Sequence, residues 1–445
     1  MSLLDQYREE TFIAMCESDY GLFRPGSFVD MSSPFPALSG YSLPLADLEV
    51  FGVPIRRTRA FGHGLSPKTA ALKAFYEGLE RIAFGFHPPD QIICNQSYLD
   101  MIEWADTPHP SEWCLCAKWQ YDQKGFPLVP YSEDTILDWI EVEPAWQKSD
   151  KRTFVPLSLG HFYGKDGRKE RLYFQTSNGC AFHWSYSKAC ESALLELIER
   201  DTFLLYWRCF MTGTNIKMHS IKSETLGKLW NGFQLKEDQF KLLFLKNEFN
   251  LPVVCTIFLG NGFIQPLSIT TPGIAFHLED AIARSLLEIY QLLSGNIPLK
   301  EKSQKALKEN ATDDLRVRSF SDHGIYYQDQ ENLYHLTTLY EKAPFMSLSE
   351  IEEILVDGPK NYNQLVTTIK EKKYDLMFKS FFTPELSKLG GYVVRAICPP
   401  IFPLDADHQT RALGGNRYTK ISAQLGSNII FEDSRQLNQK PHPID

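Results

Sequence analysis

Leu194-Leu195-Glu196-Leu197-Ile198-Glu199-Arg200-Asp201 is the stretch on which the reading of this chain turns. Its apolar side chains fall nearly all round a helical wheel, which predicts a buried helix, running here from about Ser187 to Trp207. Yet two carboxylates stand at i and i+3, on one helical face. Two other segments repeat the arrangement. Tyr76-Glu77-Gly78-Leu79-Glu80-Arg81 lies on an earlier helix, and Leu287-Glu288-Ile289-Tyr290-Gln291 on a later one spanning about Glu279 to Leu293. Each sets two acceptor side chains three residues apart inside an apolar run.

Two exposed carboxylates at that spacing repel by a few tenths of a kcal/mol. Buried without compensation, each would cost several kcal/mol. Arg81 and Arg200 can each offset one charge, but Glu77, Glu80, Glu196 and Glu199 outnumber them. A divalent metal is the economical completion, and Mg2+ takes a few carboxylates together with phosphate oxygens. Carboxylates clustered with arginines would therefore suit metal-bridged ATP. The alternative is ordinary ion pairs on partly solvated helix faces, and repetition across three helices weighs against it.

Local signals set the surrounding elements. Ser66 is a preferred N-cap and Pro67 suits the first helical position, with Gly85, Pro88 and Pro89 as the stop. Pro25 to Leu43 is rich in Pro, Ser and Gly and reads as loop. Two β-like runs between Thr153 and Gln175 flank Gly164-Lys165-Asp166-Gly167. Val253–Leu259 and Phe263–Thr270 flank Gly260-Asn261-Gly262 and read as a hairpin. Lys300 to Arg318 reads as a solvated helix or loop. Short helices are expected over Ser347–Leu355 and Asn361–Glu371, and a last strand over Gly391–Cys398 before Pro399, Pro400 and Pro403. Interleaved strands and helices with hairpins predict an α/β class, mixed α+β, with mixed sheets.

Composition removes several function classes. The 445 residues carry 46 Lys and Arg against 55 Asp and Glu, a net charge of −9, which argues against a nucleic-acid partner. Hydrophobic residues make up 43% and charged residues 23%, enough for a large core. The first residues, with Asp5, Glu9 and Glu10, do not form a secretory signal, and no run approaches the length of a membrane span. Nine irregularly spaced cysteines, with Cys114 and Cys116 the one close pair, predict reduced buried thiols rather than a zinc site. A cytoplasmic protein follows as the expectation.

No Walker loop, nucleophile elbow or zincin helix appears. His183 and His408 lack metal-ligand spacing and read as structural or surface residues. Lys68, in the first turn of its helix, can meet a phosphate or remain a solvated lysine. Gly78 costs about 1 kcal/mol relative to Ala in a helix interior, and a close approach of a neighbour explains it best.

At these residues the chain resembles the YcaO superfamily, ATP-dependent modifiers of peptide backbones. The marks are Gly64-Leu65-Ser66-Pro67 with Glu77 to Arg81, Thr176-Ser177-Asn178-Gly179, Glu196 to Asp201, Arg284 to Gln291, Ser321-Asp322-His323 and Leu413-Gly414-Gly415-Asn416-Arg417. Their order is the specific signal. The resemblance runs from about Val50 to the C-terminus and implies an extension at 1–45 followed by a YcaO domain at 46–445. It implies three helices lining an ATP site, with Glu77, Glu80, Glu196 and Glu199 holding Mg2+. Arg200 would meet phosphate, and Arg284, Glu288 and Gln291 would complete the nucleotide pocket; Lys68 and Arg81 join the set of candidate contacts. Lys73, Trp184 and Lys188 depart from residues common in the family.

The implied activity is azoline formation. A Cys, Ser or Thr side chain attacks the preceding amide, the oxyanion takes a phosphoryl group from ATP, and phosphate loss leaves a thiazoline or oxazoline. The ending Pro441-His442-Pro443-Ile444-Asp445 keeps two prolines of the Pro-x-Pro-x-Pro tail typical of that branch. Asp445 is the candidate catalytic residue, as a proton acceptor. A chain end is poorly ordered unless docked, so removal of the tail is expected to cost little stability. The alternatives are a thioamide-forming YcaO protein and a non-catalytic YcaO partner scaffolding a peptide-modifying complex. Expected partners are a ribosomally made precursor peptide and an E1-like or other leader-recognition protein, with a homodimer left open.

Overall fold

A computed structural model describes residues 22–29, 39–47, 59–64, 66–84, 91–113, 116–147, 149–161, 172–174, 176–221, 223–232, 237–262, 266–295, 314–381, 386 and 390–444. The chain divides into two compact units. The first is drawn from residues 1–109, 131–196 and 375–398, the second from 110–130, 197–374 and 399–445.

In the first unit, helix α1 (Pro67–Ala83) starts as its sequence requires: the Ser66 hydroxyl accepts the Thr69 N–H at 3.2 Å, and Pro67 stands at the first helical position. Gly85, Pro88 and Pro89, the expected stop, lie outside the described residues. The apolar face of α1 (Ala70, Ala74, Phe75, Leu79, Ile82) packs on an antiparallel sheet of strands Ser27–Val29, Ser39–Pro44 and Arg59–Gly64. The loop reading of Pro25 to Leu43 is thereby corrected. Strands Ser27–Val29 and Ser39–Pro44 form because the Tyr41 and Leu43 side chains gain burial, and Ser39–Pro44 is paired in full by Arg59–Gly64. Gly78 owes its place to a neighbour: a Cβ there would overlap the Phe23 ring. Gly62 likewise lets the strand approach α1, since a Cβ would collide with the Ala70 carbonyl.

A second sheet in this unit runs Ile92–Gln96, Leu137–Pro144, Met377–Phe381, Tyr392–Ile397 and Cys180–His183, with Thr153–Pro156 paired to Leu137–Pro144. All of these pairings are antiparallel. After Pro156 the chain turns into a short helix, Leu157–Gly160, so the first of the two β-like runs is shorter than expected. The second, with its Gly164–Gly167 turn, falls almost wholly outside the described residues.

Helix α2 (Tyr186–Arg208) contributes its N-terminal half to the first unit and residues from Leu197 to the second. Its apolar positions are buried on all sides, among them Leu194, Leu195, Leu197, Ile198, Phe203 and Leu204, as an all-round apolar helix demands.

In the second unit five strands follow the order Ser268–Ile274, Val253–Leu259, Phe240–Phe244, Thr214–Ile216 and Phe345–Met346. The last pair is parallel, which makes this sheet mixed. The expected hairpin forms between Val253–Leu259 and Ser268–Ile274, with Leu259 opposite Ser268. Its second strand extends beyond Thr270 through Pro272. Pro is tolerated because that strand is the outermost one, where a missing N–H breaks no ladder. Helix α3 (Leu278–Gly295) is fastened to the hairpin by Ser285, whose hydroxyl accepts the Thr256 N–H at 3.0 Å and donates to the Thr271 carbonyl at 2.8 Å. Helices Leu348–Ile354 and Tyr362–Glu371, capped by Ser347 and Asn361, stand where their caps predict. Of Lys300 to Arg318, residues 300–313 are outside the described part, and Asp314–Arg316 forms a single 3-10 turn. The whole is a mixed α/β fold, and none of its described helices is long and apolar enough to cross a membrane.

Candidate functional site

In the first unit, α1 and the N-terminal half of α2 bring three of the predicted glutamates into electrostatic contact. Glu77 is the neutralised one. Its Oε1 lies 2.5 Å from Arg81 Nη2, and its Oε2 accepts the Phe61 N–H at 2.7 Å. Arg81 also donates to the Arg59 carbonyl, so its cation is spent on α1's own anchorage. Glu80 is different. It accepts one backbone N–H, from Phe182 at 2.7 Å, and burial with the Glu196 charge pushes its pKa up to about 8. At neutral pH most of this carboxyl holds a proton.

One cation near this pair was not anticipated. Arg395, on strand Tyr392–Ile397, sits opposite Cys180 in the sheet and is 5% exposed. Burial lowers its pKa, and Cys180 and Glu196 act in the opposite direction. Burial also raises the Cys180 thiol, with Arg395 opposing and Glu196 and Glu80 adding to the rise. A lone arginine within Val393-Val394-Arg395-Ala396-Ile397 was the sequence signal for a buried charge.

In the second unit, Glu199 is 8% exposed and its Oε1 lies 3.7 Å from Arg200 Nε. On α3, Arg284, Glu288 and Gln291 share one face by their spacing; Arg284 is exposed and the other two are half-buried. Burial raises the Cys255 thiol, and the charges of Glu199 and Glu288 raise it further. Lys68 is exposed and, among the described residues, makes no hydrogen bond or ion pair. Trp184 donates its indole N–H to the Tyr76 hydroxyl at 3.3 Å, and Lys188 is paired with Glu191 at 2.9 Å. Asp445 lies outside the described residues.

A carboxyl that burial and a neighbouring charge hold protonated is a donor suited to a hard divalent cation. Such an ion would let Glu80 ionise beside Glu196, at a cost that proton binding now avoids. The first unit therefore presents residues fit to hold Mg2+ through Glu77, Glu80 and Glu196, and the second presents Glu199, Arg200 and the α3 face.

The C-terminal tail is docked, contrary to the expectation of a loose end. Residues 441–444 are buried in the second unit, and Ile444 forms a bridge to Thr270. His442 stacks on His323 at 3.7 Å between ring centroids and 9° between planes. His323, Asp405 and His442 bring potential ligand atoms within 4.8 Å of one another. Their arrangement serves the tail instead of a metal: both His323 nitrogens face carbonyls, of His442 at 2.8 Å and Ala406 at 3.2 Å, and the rings lie flat on each other. His408, read from sequence as structural or surface, is buried nearby, its ring 6.3 Å from that of His323.

Burial lowers the pKa of His323, His408 and His442; Arg208 adds to the effect in all three, Arg411 at His408 and Arg200 at His442. Unfolded histidines titrate near pH 6.5, so below that the unfolded chain binds more protons. Stability is accordingly complete above about pH 6.5 and is lost as pH falls toward the folded-state values. Thermal melts should drop steeply between about pH 7 and pH 5. His442→Gln should flatten that dependence, and a profile identical to wild type would contradict the assignment.

No curated protein matches the chain by sequence. Solved structures resemble it at low identity. A heterocyclase in complex with substrate and cofactor matches with a TM-score of 0.75 at 15% identity over 100% of this chain, which spans 57% of that protein. YcaO from Methanopyrus kandleri, bound with AMPPCP and Mg2+, gives 0.61 at 13% identity over 93% of this chain and 95% of its own. A chain of the E. coli microcin synthetase McbBCD complex gives 0.62 at 15% identity over 94% of this chain and 100% of its own. Residues 61–401 match the sequence model of a family described as YcaO cyclodehydratase, ATP- and Mg2+-binding. With that match over most of its length, and the fold of the YcaO heterocyclases, the chain belongs to the YcaO family.

Proposed function

We propose that this chain activates peptide backbone amides with ATP and Mg2+, cyclodehydrating Cys, Ser or Thr residues of a ribosomally made precursor peptide to azolines. The observation that carries the reading is the buried carboxyl of Glu80, whose pKa burial and the Glu196 charge raise to about 8. Bound Mg2+ would supply the missing positive charge and screen the phosphates. The protein's own part is then positioning. In the first unit Glu77, Glu80 and Glu196 would hold the metal; in the second Glu199 is a further candidate ligand, Arg200 would meet phosphate, and Arg284, Glu288 and Gln291 would border the nucleotide. Arg200 also acts electrostatically on His442, which supports a tail lying within reach of the phosphate end of the site. Asp445, three residues on, is the proposed proton acceptor. Membership in a family described as ATP- and Mg2+-binding supports the same reading.

The reaction has a mass signature. Given a precursor peptide and a leader-recognition partner, the chain should remove one water, about 18 Da, per modified residue, with phosphate released in step. Without the partner it should turn over ATP slowly and modify the peptide poorly. A gain of about 16 Da per site would mark oxygen-to-sulfur exchange and the thioamide branch. An unmodified peptide with no phosphate release, partner present, would leave the scaffold reading in its place.

A further inference from the structure

Strand Tyr392–Ile397 of the first unit carries Val393, Arg395 and Ile397 on one face of its sheet. Val393 belongs to the apolar cluster beneath α1, together with Phe182 and Phe381. Ile397 belongs to a second cluster, with Met377 and Leu157. Arg395 therefore lies between two apolar clusters, and it is 5% exposed. Its cross-strand neighbours are Cys180 on one side and Lys379 on the other. Lys379 is 4% exposed and donates to the side-chain carbonyl of Gln91. Two cations set directly opposite each other repel, and burial adds the loss of their hydration.

Arg395 lacks the kind of acceptor that Lys379 has. Its Nη1 is buried without a hydrogen-bond partner, and no described residue forms an ion pair with it. Buried polar groups are seldom left so, and a guanidinium offers five N–H donors in a planar fork. Cys180 cannot be the counter-ion, because burial keeps its thiol protonated. The charge of Glu196 acts on Arg395 without an ion pair between them. A buried cation in this state is complementary to an anion brought from outside. Guanidinium forks match carboxylate and phosphate. Glu196 is itself a proposed Mg2+ ligand, and phosphate has separate oxygens for a metal and for a guanidinium.

We propose that Arg395 is a phosphate-binding residue of the first unit, its guanidinium donating to a phosphate oxygen of the Mg2+-bound nucleotide. The assignment rests on the nucleotide reading given above. Calorimetry on the full chain tests it with three probes, Mn2+ alone, Mg2+-ADP and Mg2+-ATP, alongside thermal melts. Arg395→Met should weaken Mg2+-ATP roughly 10- to 100-fold, the worth of a charge-assisted hydrogen bond or two. Its Tm should be no lower than that of wild type, since an unpaired buried cation has gone. Affinity for Mn2+ alone should be unchanged or higher, because a positive charge near the carboxylates has been removed. Arg395→Lys keeps the charge without the fork and should recover part of the lost affinity. Loss with ATP but not ADP places the contact on the terminal phosphate, and equal loss with both on the others; either supports the assignment.

A Met variant with a lower Tm that loses Mn2+ as severely as Mg2+-ATP would make Arg395 a counter-ion of Glu196 and overturn the proposal. Should that variant fail to fold, Arg395→Lys decides. Its Mg2+-ATP affinity should fall roughly 3- to 10-fold with Mn2+ affinity held within about 2-fold, and wild-type affinity for both would overturn the role. Wild-type protein that binds no Mg2+-ATP would remove the nucleotide reading and this inference together. Wild-type binding that both folded variants retain in full would remove the inference alone.

Discussion

Replacing Glu80 or Glu199 by Gln is expected to lower Mg2+-ATP turnover by at least about 10²-fold while the chain stays folded. Gln is close in shape and hydrogen bonding to the protonated carboxyl that Glu80 holds at neutral pH, so the unliganded protein should hardly register the change. It cannot become an anion when the metal arrives, and affinity for Mg2+-ATP should fall with turnover. At Glu199 the carboxylate lies 3.7 Å from Arg200 Nε, and Gln keeps the volume while losing that ion pair. A modest drop in Tm with the fold intact is expected there. Calorimetry with Mg2+-ATP and a phosphate-release assay check both variants. Wild-type affinity and turnover in the two would remove the metal-site reading.

Removal of residues 441–445 should be costly twice over. Ile444 is 1% exposed and its burial is worth about 2 kcal/mol; the carbonyl contacts from Tyr327 and His323 add about 1 kcal/mol each. The loss should therefore be roughly 3–4 kcal/mol, visible as a lower denaturant midpoint. If the Asp445 carboxylate accepts the proton of the attacking nucleophile, cyclisation should fall a further 10²–10⁴-fold or so, measured under conditions where the shortened chain is folded. ATP affinity should change far less, because the proposed ligands lie on α1, α2 and α3. Full cyclisation by the truncated chain would confine the tail to a structural role. Retained ATP binding without cyclisation would support its place in the chemistry.

Read by themselves, the residues determined everything whose cause is local. Ser66 and Pro67 start α1 because cap and first turn are satisfied within four residues. The all-round apolar run of α2 demands burial, and the i, i+3 carboxylates put Glu77 with Glu80, and Glu196 with Glu199, on shared faces whatever surrounds them. Even the pattern of family marks is a matter of order along the chain. Tertiary structure decided what depends on partners remote in sequence. Strands Ser27–Val29 and Ser39–Pro44 look like loop until Arg59–Gly64 supplies hydrogen bonds and α1 supplies a face to pack on. Arg395 meets Cys180 and the field of Glu196 through a strand register set by residues about two hundred positions earlier, for which no local motif exists. The tail reads as a loose end because its contacts come from residues remote in sequence, among them Trp207, Arg208, Thr270, Tyr327 and His323. Donors from such distant points converge on one backbone only after the chain has folded.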